Sequence, residues 1–194
     1  MTHSADGPWG AVAPTPAAML APVQITVVED PTEALLAGLA EVLADCVAGG
    51  ASVGFLWPLP VEEARRWWDG VITDGTTLTW AAVDDTGTVV GCVRLALGAP
   101  ANGRHRAEIS KLLVHRSARG KGLATALMAS AEQEAIRRGR SLLLLDTQTG
   151  SPAERLYARS GWAVVGVVDD YAALPDGRLA GTTIMAKRLP VPAR

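Results

Sequence analysis

The chain has 194 residues, of which 48% are hydrophobic and 20% are charged, and its formal net charge is −2. This composition is typical of one globular domain with a buried core, and it excludes a disordered protein. The apolar runs are far shorter than the roughly 18 residues of a membrane-spanning helix, so no membrane partner is expected.

Cys46 and Cys92 stand in unrelated segments, with no metal-ligand spacing around them. This pattern excludes a cysteine zinc site and a disulfide framework, and it favours a reducing, cytoplasmic location. The histidines are not clustered either, so no metal is expected. Residues 1–22 are rich in Pro, Ala and Gly, which predicts a mobile tail ahead of a single domain at 23–190.

The charges are divided unevenly along the chain. Residues 24–97 carry 11 acidic and 3 basic side chains, whereas residues 101–140 carry 9 basic and 3 acidic ones. The basic segment indicates either a solvated surface face or a site for an anionic ligand. Nucleic acid is disfavoured as that ligand, because the segment contains no aromatic side chains on which bases could stack.

The first half of the chain alternates between helical and extended patterns. Asp30 is the expected N-cap of the first helix and Pro31 its first residue. The pattern predicts, in order, a strand at 24–28, a helix at 30–47, a glycine-rich loop at 48–55, a helix at 60–75, a hairpin at 77–97 and a strand at 106–115.

The second half contains the strongest helical pattern, with an apolar stripe formed by Leu123, Leu127, Ala131 and Ala135. The predicted elements are a helix at 122–139, a strand at 141–148, a helix at 151–161 capped by Ser151, a strand at 162–168, a loop at 171–178 and a strand at 179–189. The order β-α-α-β-β-β-α-β-α-β-β predicts a mixed α/β sheet with helices packed on its faces.

The stretch HRSARGKG, residues 115–122, joins a predicted strand to the strongest predicted helix. A helix N-terminus presents free N–H groups, glycines let a ligand approach the backbone, and Arg119 and Lys121 add positive charge. The turn therefore predicts phosphate binding. It is not a P-loop, because Gly122 stands where that motif requires Ser or Thr, and it does not satisfy the dinucleotide fingerprint.

These residues resemble the acetyl-CoA signature of the GNAT acetyltransferases, in the arrangement Val114-x-x-x-x-Arg119-x-x-Gly122-x-Ala124. The stretch Ala153-x-x-Leu156-Tyr157-x-x-x-Gly161-Trp162 is similar to the next helix and strand of that family. Gly150 departs from the pattern, since many members have asparagine there. The resemblance covers about residues 24–189. It is strongest to the tabtoxin-resistance acetyltransferases, through GGASVGF, NGRHRAEISKLLVHRSARGKGL, LDTQTGS and LPDGRL.

The resemblance implies the GNAT acyl-CoA N-acyltransferase fold, a mixed α+β fold. In it, a mostly antiparallel central sheet is splayed between strands four and five and flanked by helices. It also implies transfer of acetyl from acetyl-CoA to a primary amine of a small molecule, such as an amino-acid-like antibiotic or toxin, by direct attack in a ternary complex. A protein or peptide acceptor and a non-catalytic acyl-CoA sensor are the alternatives. A homodimer is left open.

The cofactor residues implied by the resemblance fall into two groups. Backbone groups of one strand are expected to pair with the pantetheine amides, and N–H groups of the following turn to hold the pyrophosphate, with Ser151 nearby. The strand residues are Leu112, Leu113 and Val114, and the turn residues are Arg119, Gly120, Lys121, Gly122, Leu123, Ala124 and Thr125.

Three side chains are the catalytic candidates. Tyr157 is the expected general acid, because a phenol with a reference pKa of about 10 keeps its proton at neutral pH; a hydrogen-bonded core aromatic is the alternative. The base is Asp146 or Glu108, with Asp146 favoured. Asp146 could instead cap a turn, and Glu108 could instead pair with Arg104 or Arg106.

The loop between the first two helices is expected to border the acceptor, as it does in the family. The candidate substrate contacts from this loop are Ser52, Val53 and Phe55. Asp146, from the apolar strand SLLLLD, is the fourth candidate substrate contact. The glycines of the loop could instead serve as a hinge.

Overall fold

The structure, a computed structural model, describes residues 23–72, 75–98 and 100–190. The predicted tail at 1–22 lies outside these residues. The strands are β1 Gln24–Val27, β2 Thr77–Val83, β3 Val89–Leu97, β4 Arg106–Val114, β5 Leu142–Gln148, β6 Ala163–Ala173 and β7 Leu179–Arg188. The helices are α1 Glu33–Ala48, α2 Val61–Ile72, α3 Leu123–Arg137 and α4 Pro152–Arg159. This order confirms the predicted one.

The seven strands form one sheet in the order β1-β2-β3-β4-β5-β7-β6. Every neighbouring pair is antiparallel except β4 and β5, which are parallel. The parallel pairing joins only two short segments, Arg106–Glu108 of β4 and Leu142–Leu144 of β5. Beyond these residues the two strands separate, which confirms the mixed fold with a sheet splayed between its fourth and fifth strands.

The sheet is covered on both faces. The apolar stripe of α3 packs on one face, where Ala107, Ile109, Leu143 and Leu145 meet it. Helices α1 and α2 cover the other face, around the fully buried Trp68. Because side chains alternate along a strand, Glu108 and Asp146 both face the side of α1 and α2.

The first helix begins later than predicted, so Asp30 is not its N-cap. The helix starts at Glu33, and Thr32 has extended backbone and accepts a hydrogen bond on Oγ1 from the Leu35 N–H at 3.2 Å. Asp30 and Pro31 precede this cap. Two capping side chains stand two residues apart here, and the helix uses the second.

The predicted loop at 171–178 is shorter than expected, because β6 continues to Ala173. The pairing of β6 with β7 shifts between Val168 and Ala172, and Asp170 within this shift has φ of +50°. The residues between Val168 and Ala172 form a bulge without regular pairing, and the pairing resumes between Ala172 and Ala180. The final strands therefore form a longer hairpin, which extends past the point where the sheet opens.

Within the part of the chain that the structure describes, no helix is long and apolar enough to cross a membrane.

Candidate active site

The separation of β4 and β5 opens a cleft of about 600 Å³. Its walls are the α1–α2 loop, the second half of β4, the end of β5, the start of α4 and part of β6. Many of the predicted site residues line it together: Ser52, Val53, Leu112, Leu113, Val114, Arg119, Ala124, Asp146, Ser151 and Tyr157. The remaining predicted residues lie outside this lining: Phe55, Glu108, Gly120, Lys121, Gly122, Leu123 and Thr125.

The turn before α3 has the features of an anion site at the mouth of the cleft. Gly120 and Gly122 have φ of +76° and +79°, and a Cβ at either would meet nothing within 4 Å. Gly122 is the N-cap and provides no side-chain hydrogen bond, whereas α1 and α4 are capped by Thr32 and Ser151. The first intrahelical bond runs from Ala126 to Gly122, so earlier N–H groups are free for a ligand. These features fit the pyrophosphate of acetyl-CoA.

Helix α1 holds this turn in place through Asp45. The carboxylate accepts hydrogen bonds from the Arg116 backbone N–H at 2.9 Å and from its Nε at 2.7 Å. Burial alone would raise the pKa of Asp45, but the hydrogen bonds from Arg116 and the nearby His115 outweigh it and lower the pKa. The turn is therefore tied to the core by a carboxylate that stays charged.

The side chain of Arg119 folds back toward the strand that precedes the turn. Its Nε donates to the Val114 carbonyl at 3.0 Å, and its Nη2 lies 3.7 Å from Cys46 Sγ. Arg119 is exposed, and these contacts hold its side chain against the strand. Cys46, a cleft residue that the motif comparison missed, becomes part of the site through this contact.

Tyr157 lies on α4 with only 7% of its surface exposed, and its ring packs 6.0 Å from that of Trp162. Burial raises the pKa of Tyr157 to about 12, with a further contribution from the negative charge of Asp146. The phenol thus keeps its proton at neutral pH. Tyr157 is therefore a core aromatic that also lines the cleft, and its packing is compatible with the predicted role of general acid.

The two candidate bases occupy different positions. Asp146 is exposed at the end of β5 and lines the cleft. Glu108 is exposed one residue before Ile109, the first residue of β4 in the lining. It belongs to the last parallel pair before the strands separate. Among the described ion pairs, none joins Glu108 to Arg104 or Arg106.

Ser151 uses its hydroxyl as predicted for a cap, accepting from the Glu154 N–H at 3.1 Å. The Glu154 side chain reaches past it to accept from the Gly150 N–H, and it also accepts from Thr183 Oγ1 at 3.0 Å. Gly150 has φ of +76°. Glu154 therefore fixes the loop that forms the cleft wall beside β5.

Lys111 is the main cleft residue that the sequence comparison did not assign. It is one of two non-glycine residues with positive φ in the described chain, at +49°. Its Nζ lies 5.2 Å from the centre of the Trp67 ring. The signal in the sequence is a single lysine within the otherwise uncharged stretch ISKLLV.

Changing Gly122 to aspartate is expected to weaken acetyl-CoA binding by at least about tenfold. The new carboxylate would repel the pyrophosphate and occupy the free N–H groups, while a side chain at positive φ adds about 1–2 kcal/mol of strain. Isothermal titration calorimetry with acetyl-CoA measures the effect. The matched control is Gly139→Asp at the other end of α3, where φ is +69° and a Cβ also meets open space. Equal loss in both variants would show that strain alone is responsible.

The comparisons with known proteins agree with this geometry. Residues 38–162 match the model of the acetyltransferase (GNAT) family. A GCN5-related N-acetyltransferase from Kribbella flavida is 26% identical with a TM-score of 0.70, covering 86% of this chain and 98% of that one. The ribosomal-protein-alanine N-acetyltransferase of Brucella melitensis is 26% identical with a TM-score of 0.67, covering 86% and 99%.

A phosphinothricin acetyltransferase from Sinorhizobium meliloti, solved in complex with acetyl-CoA, is 21% identical with a TM-score of 0.69, covering 85% of this chain and 88% of that one. At this identity the likeness shows the fold. The family match, by contrast, spans more than half of the chain. The chain therefore belongs to the GNAT acetyltransferase family, and it is an acyl-CoA-dependent N-acetyltransferase whose cosubstrate is acetyl-CoA.

Proposed function

We propose that this enzyme acetylates the primary amine of a small, amino-acid-like molecule by direct attack in a ternary complex. The observation that carries the proposal is that Asp146 and Tyr157, a base and an acid, line one cleft and interact electrostatically. When bound, acetyl-CoA supplies an activated acetyl thioester. Most of the rate enhancement would come from positioning the amine in the cleft.

Asp146 and Tyr157 each carry out one of the two proton transfers of the reaction. Asp146 is the group that accepts a proton from the acceptor ammonium, directly or through one water. Tyr157 holds a proton on Oη and is the general acid for the leaving thiol, since a pKa of about 12 leaves the phenol neutral at pH 7. Glu108 is the second candidate base, because it shares a face of the sheet with Asp146.

A contact between two segments that both border the cleft, the α1–α2 loop and the β6–β7 hairpin, supports a small acceptor, although its own residues, Trp57 and Pro175, lie outside the cleft lining. The Trp57 N–H donates to the Pro175 carbonyl at 2.9 Å, which joins the α1–α2 loop to the β6–β7 turn. Tyr171 and Ala172 of β6 add a wall beside them. A peptide that extended from the cleft between these two segments would have to separate them, whereas a small amine would not.

The resemblance to the tabtoxin-resistance acetyltransferases supports an amino-acid-like antibiotic or toxin as acceptor, and with it a role in self-protection or resistance. The comparisons support membership of the family, and the antibiotic or toxin acceptor is our proposal. A protein N-terminus is the second candidate acceptor, because the Brucella melitensis neighbour is a ribosomal-protein-alanine N-acetyltransferase. Asp146, Glu108 and Tyr157 together argue against a purely sensory protein.

The cellular setting is proposed on the same basis. Cys46 and Cys92 are free and buried, as is usual in a reducing compartment, and we place the enzyme in the cytoplasm. A small-molecule amine is its proposed partner, without nucleic acid or membrane, and the homodimer that the sequence leaves open stays a prediction. Among residues 23–72, 75–98 and 100–190, no group of three or more potential ligands is placed to hold a metal ion.

The test is thiol release from acetyl-CoA against a panel of amino acids, amine antibiotics and a short peptide that begins with alanine. Acetyl-CoA binding is measured in parallel by calorimetry. Turnover with a small amine and none with the peptide supports the proposal. Turnover with the peptide alone would show that the acceptor is a protein and not a small molecule. Tight acetyl-CoA binding without turnover on any acceptor would contradict the small-molecule assignment while leaving the family intact.

A further inference from the structure

The backbone at Lys111 is held in an unusual conformation. In the pairing of β3 with β4, Cys92 faces Leu113 and Arg94 faces Ser110, so Lys111 and its neighbour form a bulge opposite one residue. Lys111 has φ of +49°, which costs a non-glycine residue about 1 kcal/mol or more. In a regular strand, Lys111 would share the face of Ala107 and Ile109, which packs against α3. The bulge directs it into the cleft instead.

The Lys111 ammonium lies where helix α2 and the α1–α2 loop meet the cleft. Its Nζ is 5.2 Å from the centre of the Trp67 ring on α2. A Cβ added to Gly54 would lie 3.7 Å from the same Nζ, so the ammonium sits directly under the α1–α2 loop. Phe55 of that loop packs edge-on against Trp67 at 5.4 Å. An aromatic wall and a glycine thus lie beside the Lys111 ammonium.

Within the described residues, no carboxylate forms an ion pair with this ammonium. Burial is the main cause that lowers its pKa, the positive charge of Arg94 lowers it further, and Asp146 acts in the opposite direction. Arg94 also lies 5.7 Å from the Trp67 ring. A half-buried ammonium beside a second cation leaves a site that an anionic ligand would stabilise.

We infer that Lys111, with Trp67 and the loop at Gly54, forms a subsite for a carboxylate or similar oxyanion that the acceptor carries beside its amine. The inference rests on the proposed function. Asp146 and Lys111 line the same part of the cleft with opposite charges, so an acceptor that bears both an ammonium and an oxyanion matches both at once. A neutral or purely cationic amine would leave Lys111 without a partner.

The first experiment compares each reactive amino acid with its carboxamide, in which a neutral amide of similar size replaces the carboxylate. The wild-type enzyme is expected to prefer the acid in kcat/KM. Lys111→Met keeps the apolar stem and removes the charge, and it is expected to reduce this preference at least about tenfold, through KM of the acid, as the loss of a charged hydrogen bond does. Lys111→Arg is expected to restore most of the preference.

The second experiment does not depend on turnover. Calorimetry measures the binding of propionate and of propionamide, at constant ionic strength, to the wild type and to Lys111→Met. Propionate is expected to bind the wild type more tightly than propionamide does, and Lys111→Met is expected to abolish the difference. Lys111→Gly, which adopts positive φ without strain, gives the same test if the methionine variant does not fold. Arg188→Met removes an exposed charge on β7, where Arg188 pairs with Leu142 at the start of β5, and should change neither result.

The outcomes separate this inference from the proposed function. If propionate binds through Lys111 but no small amine reacts, the subsite stands and the small-molecule function fails. If amines react and the preference for acids is absent or survives in Lys111→Met, the subsite is wrong and the function stands. If Lys111→Met lowers kcat equally for acids and carboxamides and shifts the pH profile, Lys111 only orients Asp146 and the inference is overturned.

Discussion

Replacing Tyr157 with phenylalanine is expected to lower kcat by about 100-fold, the usual loss when a general acid is removed. The substitution deletes only the hydroxyl, and the ring retains its packing against Trp162, so stability should change little. Because the pKa of Tyr157 is about 12 rather than its usual 10, the phenol should remain a donor through pH 10. The measurement is the rate of thiol release at saturating acetyl-CoA and acceptor from pH 6 to pH 10.

The matched control for this variant is Tyr171→Phe. Tyr171 is the other tyrosine of the chain and also lines the cleft, but it lies on β6 with 57% of its surface exposed. We expect a loss below about threefold, typical of a surface hydroxyl. If the phenylalanine variant at 157 retains more than a third of the activity, Tyr157 is a packing residue and another group protonates the departing CoA thiolate.

The sequence predicts the fold well where structure depends on local periodicity. The stripe of Leu123, Leu127, Ala131 and Ala135 is buried as expected, because helical spacing alone places these side chains on one face. The exact end of a helix depends on which of several nearby side chains caps it. Thr32 rather than Asp30 caps α1, although both side chains can accept the bond, and local periodicity does not distinguish between them.

Site residues that form a continuous motif can be predicted from the sequence. Residues whose side-chain direction depends on the pairing register of the strands are missed. The turn from Arg119 to Gly122 can be recognised in the sequence because its proposed ligand contacts come from adjacent backbone groups. Lys111 is not readable in this way, because strict alternation along β4 assigns its side chain to the α3 face. Only the bulge opposite Val93 reverses that assignment, and it arises from pairing with β3 rather than from local sequence.

The choice between two bases is a further limit of the sequence. Alternation places Glu108 and Asp146 on the same face of the sheet, and their residue types are equally suited to accept a proton. The point where β4 and β5 separate distinguishes them, since Asp146 lines the cleft and Glu108 belongs to the last paired position. This point follows from the pairing of strands that are distant in the chain.

Replacing Asp146 with asparagine is therefore expected to lower kcat by about 100-fold or more at pH 7, as removal of a general base does. Asparagine keeps the size of the side chain and cannot accept the proton of an ammonium. Glu108→Gln, the same chemical change on the same face of the sheet, is expected to cost less than tenfold. A larger loss in Glu108→Gln than in Asp146→Asn would assign the base to Glu108.

The pH profile of Asp146→Asn separates a base from a residue that only positions the substrate. An amine that has already lost its proton needs no base, so the loss should shrink as pH rises toward about 10, near the pKa of a lysine-like amine. The variant also removes the charge that helps to raise the pKa of Tyr157. The acid should nevertheless remain protonated over this range, because burial is the larger cause of that shift. A deficit that stays constant from pH 7 to pH 10 would show that Asp146 positions the acceptor without taking its proton.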